Sequence, residues 1–246
     1  MALTSFRDAL TPDARLLWDS PAERRSALQA IVETADPVAK REAVERVDGA
    51  VLEALEALGL PRGPIRGLKL WPEFTWWNGR KHPDCTLSLS EIQLADAVRI
   101  NNVDNFFSSW VHESLHARQP YGNTLQEYRE WPGYEEGLVE ALTQRILIVG
   151  GMSGIRPSFP YYVTAYEIFS TATEVDLDVL LRVLWTRPAG HVRQVYATTM
   201  NGLRAQNGRP GLDRLQLAGD LAFRIGRANN VPDRGSMTAL IMRVLR

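Results

Sequence analysis

Apolar residues follow a helical period along most of this chain, and the period breaks down for one long stretch only, between Pro61 and Asn102. That single interruption restricts the fold to helices placed before and after a small sheet, a mainly helical α+β arrangement. Over 246 residues there is ample chain for a closed hydrophobic core. No internal repeat or low-complexity segment divides it.

The spacing predicts a helix over 21–31, with Ser20 as N-cap and Pro21 at the first helical position. A second is expected from Val38 to Leu58, ended by Gly59 and Pro61. In the interrupted stretch, Thr86 to Leu94 alternates Leu87, Leu89 and Ile92 with polar residues, as a half-buried strand does. Ala97 to Asn101 is a second strand candidate. Trp71, Phe74, Trp76 and Trp77 lie upstream and read as sheet packing. The helical period then resumes from Asp104 to about Gln119, from Pro132 to about Val149 and from Pro160 to Thr171. Residues 174–186, 189–206, 211–228 and 235–245 read as four shorter helices.

With 45% hydrophobic and 23% charged residues the composition is that of an ordinary globular protein, which excludes disordered, collagen-like and disulfide-scaffold classes. Cys85 is the one cysteine, so no intramolecular disulfide forms. No run approaches the roughly 18 apolar residues of a membrane span, and Met1 to Leu10 lacks the apolar core of a secretory signal. A cytoplasmic protein without membrane partners is expected. The net charge of −1 hides an asymmetry. Residues 180–246 hold eleven Arg, no Lys and three Asp, a balance of +8, which leaves −9 for the remainder. The arginines are spread over several predicted helices and not gathered in one run, which favours two parts packed against each other with their charges facing solvent over an anionic partner such as nucleic acid for the tail.

The segment with chemical content is WVHESLHAR, Trp110 to Arg118. It contains His112-Glu113-Ser114-Leu115-His116, the His-Glu-x-x-His pattern. Residues four apart share one helix face, so both imidazoles can address one ion. Glu113, beside the first His, can reach a metal-bound water and take its proton. Zn²⁺ is the expected cofactor, and a catalytic zinc site requires a third protein ligand. The three-histidine extension His-Glu-x-x-His-x-x-Gly-x-x-His is excluded, because Gln119 and Gly122 occupy its glycine and final histidine positions. A carboxylate on the next predicted helix remains, where Tyr134-Glu135-Glu136-Gly137-Leu138-Val139-Glu140 offers candidates. His82, in a turn-like and exposed setting, and Cys85 near it make a weak metal signal.

WVHESLH…YEEGLVEAL resembles the gluzincin group of zinc metallopeptidases, which includes thermolysin-like enzymes and zinc aminopeptidases. The resemblance covers about residues 97–145, a fifth of the chain. It implies a zincin-like domain over 1–246, with N-terminal helices (1–60), a sheet and metal-site core (61–172) and a basic helical part (173–246). In that group a Glu on a second helix, about twenty residues after the His-Glu-x-x-His helix, completes the site. The aminopeptidase form Asn-Glu-Gly-Phe-Ala-Glu is matched from its second position by Glu136-Gly137-Leu138-Val139-Glu140. By that match His112, His116 and Glu136 are the ligands. Glu140 takes the place of the acid that orients the first histidine, His112, one methylene longer than in the thermolysin-like form. Neighbours on a helix point about 100° apart, so Glu135 and Glu136 do not both face the ion, and Glu136 shares a face with Glu140. The resemblance also implies a downstream Tyr or His that stabilises the oxyanion. Tyr161, Tyr162, Tyr166 and His191 are the candidates, with Tyr162 and Tyr166 taken as catalytic. The Gly-x-Met-Glu-Asn stretch of the aminopeptidases is absent, so aminopeptidase activity has no support.

The expectation is therefore an intracellular zinc-dependent hydrolase, a metallopeptidase acting on a peptide or protein substrate, with Glu113 as general base. A strand before the active helix, 86–94 or 97–101, would pair with an extended substrate. The alternative is a regulatory or structural protein on the same scaffold, its basic C-terminal helices binding DNA or a protein partner.

Overall fold

Capping side chains followed by proline mark where the first helices begin. Thr11, Ser20 and Asp36 each precede a proline, and each accepts a backbone N–H of the first turn: Thr11 from Ala14, Ser20 from Glu23, Asp36 from Val38 and Ala39. They open α1 (Pro12–Asp19), α2 (Pro21–Glu33) and α3 (Pro37–Ala57). At the end of α3, Gly59 adopts φ +67°, its N–H bonds to the Glu56 carbonyl, and the Leu60 N–H bonds to that of Leu55. This left-handed closure suits glycine and stops the helix where the sequence predicts.

The structure, a computed structural model, describes residues 6–60, 67–73, 75, 77–82, 86–118, 131–186, 192–225 and 233–246. Phe74, Trp76, Cys85, Gln119, Gly122 and His191 lie outside the described residues.

Three short strands follow α3: β1 (Gly67–Trp71), β2 (Gly79–Lys81) and β3 (Thr86–Ser90). Their order is β1-β3-β2, with β1 parallel and β2 antiparallel to β3. Every residue of the central β3 is buried, not every second one as the alternation predicts, because β3 lies between β1 and β2. The expected strand over 86–94 thus ends at Ser90, because the Ser90 hydroxyl accepts the Gln93 N–H and starts α4 (Glu91–Arg99). The second expected strand, 97–101, is a correction. Leu94, Ala97 and Val98 are buried on one face of α4 at helical spacing, and Asn101 turns the chain with φ +58°. The apolar run was too short for its period to separate strand from helix.

The remaining elements are α5 (Val103–Arg118), α6 (Pro132–Val149), α7 (Pro160–Thr173), α8 (Leu177–Thr186), α9 (Val192–Gln206), α10 (Leu215–Ile225) and α11 (Arg234–Leu245). The fold is mainly helical α+β, as expected. Among the described residues, no helix is long and apolar enough to cross a membrane.

The chain divides into two compact units. One comprises Leu3–Pro120 and Arg145–Arg156. Its core joins α1, α2 and α3 to the sheet and α5. Trp18 meets Phe6 and Phe107 edge-on at 4.9 and 5.1 Å, and its Nε1 donates to the Ala50 carbonyl at 3.0 Å. The other comprises Met1–Ala2, Tyr121–Gln144 and Pro157–Arg246. Its centre is aromatic: Tyr134, Tyr162, Tyr166, Phe169 and Tyr196 gather around Phe223 with ring centroids 4.5–6.2 Å from it.

Candidate metal centre

α5 is buried along most of its length, and its rotation about its own axis is set by one face. Trp110, Ser114 and Arg118 lie at i, i+4 and i+8. The Trp110 indole donates to Asp48 Oδ1 at 3.2 Å, and Arg118 Nη2 donates to Asp48 Oδ2 at 2.6 Å. Both bonds tie α5 to α3. Residues two apart on a helix point about 200° away from each other, so this anchor turns His112 and His116 to the opposite side.

Those two rings come together as the spacing predicts. Nε2 of His112 and Nε2 of His116 stand 3.2 Å apart, the ring centroids are 4.8 Å apart, and the residues are 8% and 4% exposed. Two nitrogens held at about 2.0–2.1 Å by one tetrahedral ion are separated by about 3.3 Å. The observed distance matches that edge. Without a cation one ring must present an N–H to the other; with one, both lone pairs point at the ion.

His112, His116 and Glu136 form a group that could hold a metal ion, with one donor atom from each and all three atoms within 4.8 Å of one another. Two imidazoles and a carboxylate are a donor set suited to a divalent transition metal. Of the two adjacent acids on α6, Glu136 belongs to this group and is half-buried, whereas Glu135 is 4% exposed. Glu140 is buried too. Its Oε1 accepts the Ser158 N–H at 3.3 Å and the Gln144 amide at 3.0 Å.

Glu113 is half-buried and held by the sheet. The backbone of β2 crosses it so closely that a Cβ at Gly79 would stand 2.7 Å from Glu113 Cγ. One turn earlier on α5, Ser109 Oγ accepts the Asn78 amide at 2.9 Å, and the Asn78 carbonyl accepts the Ser90 N–H. Asn78 and Gly79 therefore seat β2 along the Ser109–Glu113 face of α5. The sequence carried no signal for this role beyond the presence of a glycine.

The α7 tyrosines make contacts with α6 and with one another. Tyr166 is fully buried and its hydroxyl donates to the Tyr134 carbonyl at 3.0 Å; burial pushes its phenol far above the ordinary range. Tyr162 lies against Gly133 and Gly137 of α6, where a Cβ would come within 2.8 and 2.9 Å of it. Tyr161 meets the Tyr162 ring at 4.3 Å. His82 is half-buried, not exposed as expected, because its Nε2 shares a hydrogen bond with Ser88 Oγ of the buried β3 at 2.8 Å.

Several arginines of the basic C-terminal part are internally committed. Arg204 is buried and donates to the Thr173 and Pro210 carbonyls. Arg209 pairs with Glu174, Arg234 with Glu167, and Arg193 with Asp220.

No protein-family model, no curated protein and no solved structure matches this chain.

Proposed function

We propose that this protein is a zinc-dependent hydrolase, an intracellular metallopeptidase of gluzincin type. The observation that carries the proposal is the pair of buried imidazole nitrogens 3.2 Å apart with the Glu136 carboxylate in the same donor group. The His-Glu-x-x-His spacing and the resemblance of 110–142 to the gluzincin helices support it.

In this reading His112, His116 and Glu136 would hold Zn²⁺. A bound zinc ion lowers the pKa of a coordinated water towards about 7 and polarises a carbonyl. Glu113 would accept a proton from the water that adds to the peptide carbonyl carbon. It then passes that proton to the departing nitrogen as the C–N bond breaks, leaving a carboxylic acid and an amine. The seat formed by Gly79 holds Glu113 for both transfers.

The substrate strand must be reassigned. β3 is paired on both edges, and 97–101 is the end of α4 and the turn after it, so neither expected segment can take an extended peptide. β2 is an edge strand and packs on the Glu113 face of α5, which makes it the place for β-augmentation by substrate. The internal pairing of Arg193, Arg209 and Arg234 removes part of the charge that favoured a DNA-binding reading.

Elemental analysis of the purified wild type and of His116→Ala tests the metal. One zinc per wild-type chain, lost in the variant, is expected. Digestion of a mixed peptide library then tests the activity: wild type cleaves, and Glu113→Gln retains zinc but does not. Full cleavage by Glu113→Gln refutes the assigned base.

A further inference from the structure

The first turn of α6, which carries Glu136, is clamped at several points within its own unit. The Tyr134 hydroxyl donates to Asp220 Oδ1 at 2.9 Å, reaching it past Gly219, where a Cβ would stand 2.5 Å from the phenol oxygen. Asp220 is 13% exposed and is gripped by both ends of the Arg193 guanidinium, whose Nε lies 2.6 Å from Oδ1 and whose Nη2 bonds Oδ2. The same guanidinium lies over the Trp131 ring, 4.0 Å from its centroid. Trp131 immediately precedes α6. From the other side Tyr166 donates to the Tyr134 carbonyl, and Gly133 and Gly137 let Tyr162 approach the helix backbone.

A half-buried ion pair contributes little net stability, because desolvation and screening offset the attraction. What the bidentate pair does supply is a fixed orientation. Tyr134 and Glu136 are two residues apart, about 200° around the helix. Holding the Tyr134 side therefore sets the direction in which Glu136 projects. A metal ligand needs to be held within about 0.5 Å of its productive position.

We propose that Asp220 and Arg193 are positioning residues for Glu136, acting through Tyr134 and the first turn of α6. This rests on the metal-binding reading above. Sequence distance hid it: Tyr134 and Asp220 are 86 residues apart.

The test uses the full chain, stripped of metal, with Zn²⁺ affinity measured by competition against a chromogenic chelator. The variants are Asp220→Asn and Tyr134→Phe, with Arg204→Met as control, since Arg204 braces the same unit through Thr173 and Pro210 and touches none of the clamp. Asp220→Asn and Tyr134→Phe are expected to weaken zinc binding about ten- to a hundredfold. Co²⁺ substitution should show the tetrahedral absorption band diminished in both. Arg204→Met should lower the melting temperature and leave zinc affinity unchanged. Wild-type affinity in Tyr134→Phe, which removes a single oxygen and is expected to fold even where Asp220→Asn does not, overturns the clamp while leaving the metal reading intact. So does an equal loss of affinity in Arg204→Met. A wild type that binds no zinc overturns the metal reading itself.

Discussion

Gly79 and Glu113 are in such close approach that a β-carbon on residue 79 would lie 2.7 Å from Glu113 Cγ and 3.1 Å from Leu89 Cδ2. Glu113 Cγ lies mid-chain, and Leu89 is fully buried in the central strand. Gly79→Ala must therefore displace Glu113 or lift β2 from α5. The expected outcome is a loss of peptide hydrolysis of at least about tenfold with one zinc per chain retained, and a destabilisation of about 1–3 kcal/mol from overpacking. Peptide-cleavage rates, zinc content and urea denaturation of the one variant check all three.

Metal removal has a thermal signature. If zinc binds the folded chain and not the unfolded one, its stabilisation grows as the logarithm of free zinc over Kd, about 2.7 kcal/mol at a hundredfold excess. A chelator should lower the melting temperature, and added zinc should restore it. His116→Ala should melt at one temperature under both conditions. Calorimetry with and without chelator checks this.

Arg24 is buried at 3% exposure, and its Nη1 donates to the Leu17 and Trp18 carbonyls at 2.7 and 2.9 Å while Nε pairs with Asp104 at 2.7 Å. It closes the end of α1 and ties it to α5. Arg24→Met leaves two carbonyls of the α1 terminus without this donor. At about 1–3 kcal/mol for a buried group so stranded, a loss of about 2–4 kcal/mol is expected in urea denaturation.

Asp13 and Arg46 link α1 to α3, and the hydrogen bond from Arg46, helped by its charge, holds the Asp13 carboxyl below its ordinary range. A carboxylate depressed in the folded state adds stability above its unfolded pKa of about 3.9, and that stability is lost as pH falls through the folded value. Asp13 is 57% exposed, so solvent screening limits the effect to under about 1 kcal/mol. The stability difference between wild type and Asp13→Asn, measured in urea from pH 7 to pH 2.5, should be constant near neutrality and vanish at the acid end.

What could be read along the chain was what is settled within one or two turns of it. Ser20 before Pro21, Gly59 after α3 and the i, i+4 spacing of His112 and His116 act through neighbouring backbone groups, and each appears in the structure where the sequence puts it. The central strand was legible from Thr86 to Ser90 but its burial was not, since the polar Thr86, Ser88 and Ser90 are as buried as Leu87 and Leu89. Past Ser90 it failed, because a serine can end a strand or cap a helix, and the packing of Leu94, Ala97 and Val98 chose the cap.

The tertiary structure alone decided the rest. Adjacent carboxylates at 135 and 136 are chemically alike, and Glu136 is the one that belongs to the donor group with His112 and His116. The seat of Glu113 depends on a glycine 34 positions earlier, and the hold on Tyr134 on an aspartate 86 positions later. Local preferences fix backbone hydrogen bonds and helix faces; which faces meet depends on steric fit and buried charge between segments far apart in the chain, and no short-range pattern encodes that.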